Sequence, residues 1–145
     1  MKKQVVKRLL MVGLLNVMAM VVMVGSAQAQ SLANKIRINI PFDFSVGDNK
    51  LPAGHYSIGR AQSSGDAVLL ISNLNHFDVV MPLTNAAQSL DPKNLATVVF
   101  HRYGEQYYLS QVWPAGSTVG RVLVKSRGER AIERRSEYTA VLVKE

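Results

Sequence analysis

From Lys35 to Phe44 apolar and polar residues alternate: Ile36, Ile38, Ile40, Phe42 and Phe44 are interleaved with Arg37, Asn39, Pro41 and Asp43. Successive side chains of a strand point to opposite faces, so this run predicts a strand with one buried and one wet face. Pro41 has no N–H to give to a ladder, which places the strand at a sheet edge or breaks it at a bulge. Similar runs recur at short spacing: His55–Ala61, Ala67–Ser72, Phe77–Leu83, Leu95–Tyr103, Gln106–Trp113, Arg121–Val124 and Tyr138–Lys144. Gly47-Asp48-Asn49, Pro52-Ala53-Gly54, Ser63–Asp66, Asn73–Asn75 and Gly104-Glu105 carry turn chemistry between them. Residues 85–94 read as a surface loop.

The pattern changes at Ser126. Glu129 follows three residues later, a capping-box start, and Lys125 with Glu129 and Arg130 with Glu133 sit at helical spacing. This predicts a short, solvent-facing helix with Ile132 as its main apolar anchor, weakened by Gly128 by up to ~1 kcal/mol. About eight short antiparallel strands and one short C-terminal helix give an all-β class, a single-domain β-sandwich or barrel. No linker, repeat or low-complexity tract divides the chain.

The first 29 residues belong to a different regime. Lys2, Lys3, Lys7 and Arg8 precede an apolar run, Leu9–Val24, which ends in Ser26-Ala27-Gln28-Ala29. A basic start, an apolar middle and a small-residue exit predict a secretory signal cleaved after Ala29, with residues 30–145 as a β-rich exported domain. The rival reading is a retained anchor, for which the run is short of the roughly 20 residues a span needs. Export in turn alters the charge balance. The whole chain carries 17 basic and 10 acidic residues, net +7, but four of the basic residues precede the cut. The remaining 116 residues carry net +3, so the high isoelectric point is no sign of nucleic acid. The chain has no cysteine, which excludes disulfides, thiolate metal sites and thiol nucleophiles.

Three segments carry a resemblance: "IPFDFSVGDNKLPAGHYSI", "VVFHRYGEQYYLSQVW" and "GRVLVKSRGERAIERR". Their order of P-F-x-F-x-V-G, L-P-A-G-x-Y, F-x-R-Y-G and K-S-R-x-E-R resembles a set of small exported bacterial proteins of acidobacterial type. The resemblance covers most of the chain after the leader. It implies a one-domain, β-rich envelope protein and implies no activity.

Candidate chemistry gathers in two places. Phe100–Trp113 holds His101, Arg102, Glu105, three tyrosines and the sole tryptophan. The plainer reading is a hairpin whose aromatic residues stabilise the sheet pairwise. The sharper one is an aromatic platform of Tyr103, Tyr107 and Trp113 for a sugar or other flat ligand, with Arg102, His101 or Glu105 at its rim. The second place is the helix. From Lys125 to Arg135 five bases face two acids, and Arg130 and Arg134 are the residues expected to meet an anionic partner through screened Coulomb attraction. Its plainer reading is a solvated face laced with ion pairs.

No catalytic residue, metal ligand or cofactor is assigned. His55, His76 and His101 lack ligand spacing, and no G-x-S-x-G or nucleotide-binding motif occurs. The function expected is a non-enzymatic binding or structural module of the cell envelope, in the periplasm or outside the cell. Its partners are an envelope polymer, a glycan or a protein, not nucleic acid, and it meets a membrane only through the leader before cleavage. The alternative is a small periplasmic hydrolase or metal-dependent enzyme that uses the scattered histidines.

Overall fold

A computed structural model describes residues 35–61 and 67–145. The expected cleavage site and the Ser63–Asp66 turn lie outside these residues. Eleven described strands form two sheets, with one helix among the described residues. The result is an all-β, sandwich-like domain with no closed barrel.

The first sheet is built from β1 (Ile36–Ile40), β4 (Gly54–Arg60), β5 (Leu69–Asn73) and β6 (Val79–Val80), side by side in that order and all antiparallel. The second runs β11 (Thr139–Lys144), β8 (Thr97–Tyr103), β9 (Gln106–Trp113), β10 (Val119–Leu123), β7 (Thr84–Gln88). The small β2 (Phe44–Val46) and β3 (Asn49–Leu51) pair lies beside β9, joined to it in parallel at Ser45 and Tyr108. Pro41 ends β1 at a sheet edge, and Pro82 follows β6 at the other edge of the same sheet. At both edges proline denies a donor to an incoming strand.

The alternation in the sequence becomes the core. Ile36, Ile38 and Ile40 are buried while Arg37 and Asn39 are exposed. Phe44 joins the two layers, its ring edge-on to Tyr56 of β4 at 5.1 Å and to Phe100 of β8 at 5.4 Å. Leu51 is buried and pins the intervening loop. Tyr56, with no exposed surface, donates its hydroxyl to the Pro52 carbonyl at 2.6 Å and accepts from Asn73 Nδ2 at 2.9 Å. Asn73 Oδ1 in turn accepts from the backbone of Asn75 and His76, closing the β5–β6 turn. The phenol of Tyr56 is pushed up in pKa, chiefly by burial. Gly54 has φ +153, a conformation that side-chain-bearing residues avoid, which explains glycine in the Leu51–Tyr56 segment.

Two features depart from the sequence reading. Residues 85–88, expected in a loop, join Thr84 in β7 because β10 supplies a full ladder from Gln88 to Thr84. Thr-Asn-Ala-Ala-Gln has little strand propensity of its own, so the partner decides. The second departure is a bulge in β9. Val99 faces Gln111 and Phe100 faces Leu109, so Ser110 is the extra residue. It switches the faces of the strand. Tyr107 and Leu109 therefore point the same way as Val112, while Gln111 and Trp113 point the other way.

Candidate functional site: helix α1 and the polar network beneath it

Helix α1 (Arg127–Glu133) begins as its sequence predicts. Ser126 Oγ accepts the backbone N–H of Glu129 at 3.1 Å. The Glu129 side chain does not return to the cap. It turns under the helix and places Oε1 3.0 Å from Nδ1 of His101 on β8. The other imidazole nitrogen, Nε2, lies 2.9 Å from Oγ of Ser110, the bulge residue of β9. All three side chains are buried. Tyr138 lays its ring over the imidazole, centroids 3.9 Å apart, and Lys125 sits over Tyr138 at 5.4 Å. Lys125 also pairs with Glu133.

This overturns two expectations. The buried anchor of α1 is Glu129; Ile132 is only half-buried. Lys125 pairs with Glu133 instead of Glu129, because His101 already holds Glu129. At 3.6 residues per turn Glu129, Ile132 and Glu133 share the inward side, and Arg127, Arg130 and Arg134 share the outward side. Arg127, Arg130, Arg134 and Arg135 are all exposed, and none forms an ion pair among the described residues. Of the two acids that offset them in the sequence, Glu129 is buried, and Glu133, partly exposed, is paired with Lys125. What faces solvent is a row of guanidinium groups.

The aromatic residues of the hairpin are distributed differently. Tyr103 and Trp113 are buried at opposite ends of the β8–β9 pair, opposite Gln106 and Thr97 respectively. Tyr107 is on the other face, stacked on Phe42 at 4.0 Å. The three rings therefore do not share one surface. Trp113 covers Gly120, where a Cβ would come within 2.4 Å of the ring, and donates Nε1–H to Gln111 at 2.9 Å. Arg102 lies over Tyr107 at 5.5 Å, donates to the Gly104 carbonyl at 2.7 Å and meets Glu105 at 3.3 Å. Of the six residues expected to bind, Arg130 and Arg134 lie together and open to solvent. Arg102 is exposed but tied into its own turn.

Tyr103 lies beside the network, its ring edge-on to His101 at 6.3 Å. Burial, and then the negative charges of Glu129 and Glu133, push its phenol up to about 12. Its hydroxyl is buried beside Glu129, without a hydrogen bond of good geometry. His55 sits on β4 of the other sheet and His76 in the β5–β6 turn, both exposed. Among the described residues no group of three or more His, Asp or Glu could hold a metal ion. No described helix is long and apolar enough to cross a membrane.

The Ser110–His101–Glu129 contact was hidden in the sequence because its members are 9 and 28 residues apart. One signal could have found half of it. A seven-residue amphipathic helix must bury its inward side, and that side holds Glu129, which needs a buried partner.

No family model matches the chain. No curated protein and no solved structure matches it either.

Proposed function

We propose that this is an exported envelope protein that binds an anionic envelope polymer through the outward arginines of α1. The observation that carries the reading is the sorting of charge on that helix. Glu129 and Glu133 are taken by His101 and Lys125, and Arg127, Arg130, Arg134 and Arg135 are left to solvent. Guanidinium forks match carboxylate and phosphate oxygens in bidentate geometry. Carried on one helix, they present several such forks from a backbone that is already ordered. Export is supported by the basic, apolar and small-residue order of the first 29 residues, and by the resemblance to small exported proteins. It places the protein in the periplasm or outside the cell, where polymers rich in carboxylate and phosphate are the available polyanions.

Retention of residues 30–145 on a polyanionic matrix tests the reading. It is expected at low salt and should weaken steadily as ionic strength shortens the screening length towards ~8 Å and below. Arg130→Glu with Arg134→Glu should abolish it. Retention that ignores salt, or that survives the double reversal, removes the proposal.

A further inference from the structure

The network under α1 has an arrangement that its anchoring role does not require. Ser110 Oγ meets Nε2 of His101, and Glu129 meets Nδ1, so serine, imidazole and carboxylate stand in the order of nucleophile, base and orienting acid. The carboxylate accepts Nδ1–H, which leaves Nε2 as the acceptor facing the serine hydroxyl. Ser110 reaches that position because it is the bulge residue, and a bulge is a device for re-aiming one side chain of a strand.

We propose that Ser110 is an activated nucleophile towards small acyl esters, with His101 as its general base and Glu129 as the positioning residue. As Ser110 Oγ bonds to the acyl carbon, its proton passes to His101 Nε2. The ester C–O bond then breaks, and the departing alkoxide takes that proton. Water reverses the sequence: it gives a proton to Nε2, its oxygen bonds to the acyl carbon, and Ser110 leaves as its hydroxyl is restored. Tyr138 closes the site. Its ring covers the imidazole and is about half exposed, so it is the covering side chain through which substrate would enter. Ser110, His101 and Glu129 are buried, which restricts this activity to small esters and sets it apart from the arginine surface.

A small alkyl fluorophosphonate tests this on the intact protein. Ser110 Oγ would bond to phosphorus as the P–F bond breaks, with fluoride leaving and the proton passing to His101. The expected result is a single adduct on Ser110 by peptide mass mapping, absent from heat-unfolded protein and from Ser110→Ala. His101→Gln should slow it by roughly 10²-fold or more. Tyr138→Ala should speed it. Glu129→Gln should slow it and displace its pH profile, which a merely structural change would leave in place. Ser110→Ala should leave retention on the polyanionic matrix unchanged, so the two proposals fail separately. If neither the native protein nor Tyr138→Ala acquires an adduct on Ser110, or if unfolded protein labels as fast, the proposal is overturned.

Discussion

At the scale of single residues, Tyr103 shows how burial beside acidic groups can be measured. Its phenol is displaced from 10.0 to about 12, by burial first and by Glu129 and Glu133 next. The unfolded chain therefore loses this proton at lower pH than the folded one. The stabilisation is fully present below pH 10 and is lost as pH rises through the folded value. Stability is expected to fall by on the order of 1–2 kcal/mol between pH 10 and 12. Tyr103→Phe should flatten that part of the profile in urea titrations; a profile of unchanged slope would show that Tyr103 is not the group responsible. The side chains that define the site were legible only in part. The exposure of Arg130 and Arg134 could be read because a charge at a helix surface needs only local spacing. The burial of Tyr103 and Trp113 could not, since it depends on which element covers the outer face of β8 and β9.

At the scale of elements, strands with a strict two-residue period were legible and strands made by their neighbours were not. β1, β8 and β9 carry their pattern in their own residues, whereas β7 exists because β10 pairs with it. The bulge at Ser110 carries no glycine as a marker, so nothing in the residues of β9 signals that its faces switch there. The start of α1 was legible in Ser126, but its attachment was not. That attachment predicts a specific loss. Glu129→Ala leaves His101 Nδ1 buried without its acceptor and should cost about 2–3 kcal/mol. Amide exchange should quicken over 127–133 while β8 and β9 remain protected. Uniform quickening across the sheet would mean that Glu129 supports the whole domain and not the helix alone.

At the scale of the whole molecule, two sheets without a disulfide enclose an aliphatic and aromatic core, and one edge of that structure carries a short helix whose charges are divided by burial. The division takes the two acids of a basic segment out of its outward face and leaves the arginines there. Net charge and local charge make different predictions, which allows them to be separated. The most direct measurement compares two double variants of residues 30–145 on the same polyanionic matrix. Arg130→Glu with Arg134→Glu, and Lys35→Glu with Arg37→Glu at β1, each take the chain from net +3 to −1. The account predicts that the helix pair loses retention and the β1 pair keeps most of it. Equal loss from both would show that overall charge is responsible, and would contradict an arginine surface built by α1.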